Sequence, residues 1–218
     1  MLEALTVNRE QSNGRSGGAD RLESLSAFCL LANKIILAFY GDRGSCVFST
    51  GVVCDVLAHY GFDTKALRVE AAVFDTKPGG RGVVLGGFSE PMRRKAAGKG
   101  AWHGHLVSLV DCAYLIDTSL DQVNDTEPQL RVEPVVIHLR ATDWFLCEDP
   151  KSYRYHRTGN LSVFRSSDST VRYAEHPRQN GFKHAGDFQA CRRKALVPAL
   201  ITIAREMLTG GRFDTARK

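Results

Sequence analysis

Between residues 20 and 40, apolar side chains recur at three- and four-residue steps: Leu22, Leu25, Phe28, Cys29, Ala32, Ile35, Ile36 and Phe39. That is the period of a helix with one buried side, with Asp20 at its start and Gly41 as its stop. A second stripe, Val47, Thr50, Val53, Cys54, Leu57 and Tyr60, predicts a helix opening near Cys46, with Ser45 as N-cap and Gly61 as C-terminal stop. The pattern then shortens. Residues 66–74, His105–Val110 and Tyr114–Asp117 read as strands, the last two joined by a tight turn at Asp111, Cys112 and Ala113. Residues 132–139, 153–156, 161–164 and 171–174 are further strand candidates. A long helix over 188–208, kinked at Pro198, closes the chain. Two helices, then mostly strands, then a helix predict an α+β domain whose N-terminal helices pack on an antiparallel sheet.

Two stretches interrupt this order. Residues 1–19 are polar and rich in Gly and Ser and read as a mobile tail, which leaves 20–218 as one domain. Residues 76–101 hold Gly79, Gly80, Gly82, Gly86, Gly87, Gly98 and Gly100 with Pro78 and Pro91. They read as a long mobile loop that must emerge beside the strand at His105, where it serves as a lid or as an insertion without a role. Arg93, Arg94, Lys95 and Lys99 on it suit an acidic partner. Neither a phosphate-binding loop nor a dinucleotide fingerprint is present, so no cofactor is implied.

Composition narrows the function classes. The chain has 218 residues, 43% hydrophobic, with a net charge of +5. The basic residues are scattered, not gathered in a stripe, which argues against nucleic-acid binding. Cys29, Cys46, Cys54, Cys112, Cys147 and Cys191 are far apart, whereas zinc ligands usually come in close pairs, so no metal is expected. No signal pattern opens the chain, and uninterrupted apolar runs are too short for a membrane span. A cytoplasmic protein with reduced thiols is the expectation.

The chemistry lies in three positions. Cys46 stands at the predicted start of a buried helix, where unpaired N–H groups and the helix dipole favour thiolate. His105 opens a strand, and Asp117 closes the next strand of the same hairpin, within reach on one face. A nucleophile, a base and a group that orients the base are the minimum set for covalent catalysis. His103 shares the strand face of His105. It precedes the ordered run, however, at the end of the glycine-rich loop, so His105 is assigned as base and His103 as a substrate-side residue with Trp102 and Arg43.

The order Cys-helix, His-strand, Asp-strand resembles the papain-like and transglutaminase-like cysteine enzymes. Arg43-Gly44-Ser45-Cys46 followed by Gly61-Phe62 is also similar to arylamine N-acetyltransferases, with one residue fewer between Gly and Cys. A bacterial group of unassigned function shares a Ser-Cys helix, a Gly-His-Leu-Val strand and an Asp-x-Ser-x-Asp-Gln ending. Here these are Ser45-Cys46, Gly104-His105-Leu106-Val107 and Asp117-Thr118-Ser119-Leu120-Asp121-Gln122. The resemblance implies a papain-like or transglutaminase-like core and a Cys46 thioester. Papain-like peptidases build their oxyanion hole with a Gln shortly before the Cys. No Gln or Asn lies between Asn33 and Cys46, which leaves the Cys46 N–H with the Tyr40 hydroxyl or Gln122 as donors.

Three functions follow as expectations. The first is hydrolysis of a peptide, protein or amide substrate. The second is acyl transfer to an amine, whose acylation half is identical. The third is a binding protein that retains the fold and uses the groove for recognition.

Overall fold

A computed structural model describes residues 16–40, 46–77, 80–86, 104–139, 162–165, 169–175, 181–185, 188 and 190–209. Its elements are α1 (Ser16–Tyr40), α2 (Cys46–His59), β1 (Thr64–Asp75), β2 (Gly82–Leu85), β3 (His105–Val110), β4 (Tyr114–Asp117), α3 (Val123–Thr126), β5 (Val135–His138), β6 (Ser162–Arg165), β7 (Ser169–Glu175), α4 (Ala190–Arg193) and α5 (Leu196–Thr209). Short 3-10 turns at Leu120–Gln122 and Pro128–Leu130 flank α3, and another covers Phe182–His184. The architecture is α+β. The strand order is β5-β4-β3-β1-β7-β6 with β2 also on β1, and every pairing is antiparallel.

β1 organises the sheet. Its first half, Thr64 to Val69, pairs with β3, and Ala71 to Phe74 on the same edge pair with β2. Its other edge carries β7 along Val69 to Asp75. β2 and β3 therefore lie end to end along one strand. Helices cover one face of the sheet: Leu25, Phe28, Cys29, Ala32 and Ile36 of α1 meet Val52, Val53 and Val56 of α2, Leu200 and Ala204 of α5, and Val110 and Ile116 of the sheet. The opposite face gathers Leu67, Val69, Val73, Val107, Leu115, Val171 and Tyr173 under Val123 of α3. Each large apolar side chain so buried contributes about 1.5–3 kcal/mol.

α2 lies between sheet and helices, so it is buried almost all round along its first two turns, beyond the single stripe expected. Gly61 ends it at φ +83°. At the β3–β4 turn, Asp111 and Cys112 adopt left-handed φ of 50° and 52°. The Asp111 carboxylate accepts from the Asp63 N–H and pairs with Arg21 of α1. One side chain thereby ties helix layer, β1 entrance and hairpin together.

Several expectations need correction. α1 begins at Ser16, ahead of the expected tail boundary. Once a helix is nucleated, each added residue gains a hydrogen bond, so it runs on through poor helix formers. Residues 1–15 lie outside the described residues. The segment Asp20–Tyr40 is long and apolar enough to cross a membrane by length and composition, with mean hydropathy 1.6. Judging by unbroken apolar runs missed it, because small and polar residues are interspersed. Its inward side forms part of the core. Phe39 ends the predicted stripe but is 52% exposed. The loop expected over 76–101 contains β2, whose Val83, Val84 and Leu85 suit a strand that its glycines disguise. Residues 78–79 and 87–101 lie outside the described residues, as do 153–156. The C-terminal helix is two helices, and Pro198 sits in the first turn of α5, where a missing N–H costs little and no kink is needed.

Candidate functional site

Cys46 is the first residue of α2, on the turn whose backbone N–H groups have no intrahelical partner. Its side chain is 9% exposed and packs with Val47, Leu106, Phe182 and Ala185. The thiol lies 3.6 Å from the Gly104 carbonyl. Two contacts set α2 against β3: Thr50 Oγ1 donates to the Leu106 carbonyl at 2.9 Å, and Cys54 Sγ meets Ser108 Oγ at 3.5 Å. Arg193 clamps the C-terminal segment onto the same helix. Its Nε pairs with Asp55 at 2.8 Å, and its guanidinium donates to the Phe188 carbonyl and stacks on the Phe188 ring. Gly51 makes room for this crossing, since a Cβ there would stand 2.4 Å from the guanidinium.

His105 opens β3 and is buried. Its Nε2 lies 2.7 Å from Asp117 Oδ2, and the neighbouring Cys46 acts with Asp117 to raise its pKa. With Nε2 turned to Asp117, Nδ1 is the nitrogen available to sulfur. The hairpin register explains the reach. Leu109 pairs with Leu115, so His105 and Asp117 fall diagonally on one face, within range of a long side chain.

β2 bears on the same residue. Gly86, just past its end, has φ +68°, and a Cβ there would come within 2.5 Å of the His105 nitrogen and 2.6 Å of the Val69 carbonyl. Only glycine fits both that conformation and that approach. The glycine-rich stretch therefore shapes the backbone at the base.

Asp117 is fully buried. Its Oδ2 also accepts from the Tyr173 hydroxyl at 2.8 Å, while Oδ1 accepts from the Ser119 N–H at 3.1 Å and the Ser119 hydroxyl at 3.4 Å. Burial alone lowers the His105 pKa. The Asp117 charge and hydrogen bond, with those of Cys46, outweigh it and lift the pKa from 6.5 to about 10. Burial, then the Asp117 charge and hydrogen bond, raise the Tyr173 pKa well above its ordinary value, so the phenol stays a donor.

The structure thus joins Cys46, His105 and Asp117. Tyr173 and Ser119 were missed as site residues. Ser119 was visible only as the Ser of the Asp-x-Ser-x-Asp-Gln ending, and Tyr173 had no signal beyond its strand position. Tyr40 ends α1 with its ring 4.6 Å from that of Phe48 and its hydroxyl accepting from Arg192 at 3.4 Å. Gln122 lies in a cleft of about 130 Å³ between α1, α2 and the turn after β4, together with Ser49, Ser119, Asp121 and Asp125. Arg43, Trp102 and His103 lie outside the described residues. Among the described residues, no group of His, Cys, Asp and Glu has the arrangement of a metal site.

No protein-family model matches the chain, and no curated protein matches it. Among solved structures, a structural-genomics crystal structure is similar over 82% of this chain and 77% of its own, at 13% identity and a TM-score of 0.43.

Proposed function

We propose that the protein is a cysteine-dependent acyl-transfer enzyme on a papain-like or transglutaminase-like core, hydrolysing a peptide or amide bond through a thioester at Cys46. The buried Cys46–His105–Asp117 chain, with its 2.7 Å imidazole–carboxylate contact, carries the reading. Asp117 fixes the ring by accepting at Nε2, which aims Nδ1 at the sulfur. A proton passed from sulfur to Nδ1 gives a thiolate–imidazolium pair. The thiolate attacks the acyl carbon, and the tetrahedral intermediate collapses as the C–N bond breaks and the imidazolium protonates the departing amine. Water then gives a proton to Nδ1 and attacks the thioester, and the thiol regains that proton as the acid leaves. An imidazolium held to about pH 10 remains a proton donor across the neutral range. Helix-start N–H groups beside Cys46 suit the oxyanion.

Brief alkylation with iodoacetamide near neutral pH, read by peptide mass spectrometry, tests the reading. Cys46 is labelled ahead of Cys54, and His105→Ala slows Cys46 labelling by about tenfold or more, because a neutral, unpaired thiol is the poorer nucleophile. Equal labelling of both thiols, or no effect of His105→Ala in a folded protein, would count against it. Once a substrate is found, His105→Ala removes activity almost entirely while His103→Ala retains a substantial fraction.

A further inference from the structure

A nucleophile must be reached by its substrate, yet Cys46 is almost wholly covered. Part of that cover comes from a stretch of chain that the relay does not use. After β7, the 3-10 turn Phe182–His184 brings Phe182 and Ala185 into the apolar cluster that holds Cys46, Val47 and Leu106. Phe182 and Ala185 are buried, while Lys183 and His184 between them are exposed. The turn is therefore two-sided. Its apolar side belongs to the surroundings of the sulfur, and its basic side belongs to the solvent.

A series of contacts holds this turn down. The Phe182 ring meets the Phe188 ring edge-on, with centroids 5.0 Å apart. Arg193 grips Phe188 in turn, with its guanidinium 4.9 Å over the ring and a hydrogen bond to the Phe188 carbonyl. Arg193 Nε then donates to Asp55 Oδ2 of α2 at 2.8 Å. The guanidinium is buried in the space that Gly51 leaves free. A charge so far out of water depends on its acceptors, so the Asp55 pair fixes Arg193, and Arg193 fixes the aromatic pair. Asp55 itself keeps 40% of its side chain in solvent, which leaves this latch open to disturbance from outside. At the other end of the turn, Gly181 has φ +106°, a conformation that residues with a Cβ rarely adopt. The segment thus has a glycine hinge at one end and an ionic latch beyond the other.

We infer that Gly181–Ala185 is a strap closed over Cys46, latched to α2 through Phe188 and Arg193, and that it lifts to admit the acyl group. A small reagent passes the closed strap. A bulky one waits for Phe182 to leave. As a step in turnover, the opening rests on the acyl-transfer reading; as a cover over the thiol, it does not.

Alkylation of the full chain by iodoacetamide and by the bulkier fluorescein maleimide, read at each cysteine by peptide mass spectrometry near neutral pH, tests the strap. The exposed Cys112 is the reference within the same molecule. The maleimide-to-iodoacetamide rate ratio at Cys46 falls below that at Cys112 by about tenfold or more, because the bulky reagent must await a local opening. Phe182→Ala removes the cover, and Asp55→Asn loosens the latch without altering the strap. Each raises the ratio at Cys46 severalfold and leaves it unchanged at Cys112. Asp55 is partly exposed, so its variant decides the matter should Phe182→Ala not fold. Equal ratios at Cys46 and Cys112 in the wild type, or an unchanged Cys46 ratio in either folded variant, overturns the proposal. His105→Ala makes Cys46 a poorer nucleophile toward both reagents alike, so the ratio is independent of the relay. A low Cys46 ratio without any effect of His105→Ala would fail the catalytic reading alone, and the converse pattern would fail the strap alone.

Discussion

Asp117 and Asp121 sit on either side of the same turn, yet their surroundings differ. Asp117 is fully buried and meets four donors: the His105 ring, the Tyr173 hydroxyl, and the N–H and hydroxyl of Ser119. Asp121 is half-buried and receives one side-chain amide from Asn33, with Asp117 and Asp125 adding like charge. A carboxylate taken wholly out of water must be surrounded by donors or lose its charge. One that is half-buried keeps part of its hydration and stands with fewer donors. Both environments arise within five residues of a single motif, Asp117-Thr118-Ser119-Leu120-Asp121.

Removing the better-satisfied carboxylate should have the larger effect. Asp117→Ala leaves a buried imidazolium and a buried phenol without their acceptor, and breaking such a pair costs about 3–5 kcal/mol. Urea denaturation measures it, and a loss below about 1 kcal/mol would mean that the pair is not buried as described. The same pair gives the protein a dependence on pH. The His105 pKa lies above its unfolded value, so its stabilisation is complete below pH 6.5 and is lost as pH rises through about 10. Unfolding free energies of the wild type and His105→Gln should converge over that window, and a constant gap would contradict the assignment.

Tyr173→Phe takes one donor from Asp117 and should cost about 1.5–3 kcal/mol, the range for a hydrogen bond to a charged group. It should also slow Cys46 alkylation less than His105→Ala does, because the ring keeps its acceptor. Gly86→Ala is the most local, and the close approach of the new Cβ to the His105 nitrogen and the Val69 carbonyl adds to its backbone cost. The left-handed backbone costs about 1–2 kcal/mol for a residue with a Cβ, and the contact falls on the His105 amide. A shift of that amide resonance without movement of Asp121 signals would separate the relay from the cleft, and an unshifted His105 amide would show that β2 does not bear on the site.

Much of this arrangement was legible in local pattern. The boundaries of β3 and β4 and the start of α2 agree with the sequence reading, because each is marked by turn residues and by a clean change of period. The juxtaposition of His105 and Asp117 followed from hairpin geometry, which is local. Tyr173 was not legible, because it reaches Asp117 across 56 residues and its alternation says only that it is buried. β2 was hidden because glycine density outweighed three good strand residues. The cleft was invisible because α1, α2 and the turn after β4 define it together, and no one of them has a distinctive pattern.

The relay is assembled from distant parts of the chain, and this bears on how the protein forms. Cys46 meets the Gly104 carbonyl across 58 residues, and Asp117 receives its phenolic donor from β7, on the far side of β1 in the sheet. Pairings of such high sequence separation form late, since loop closure must precede any reward from contact. A chain still being synthesised carries the cysteine long before it has the strand that completes the carboxylate's surroundings. The ordered thiol–imidazole pair is therefore a product of complete folding, and nascent or truncated chains hold an ordinary cysteine in its place.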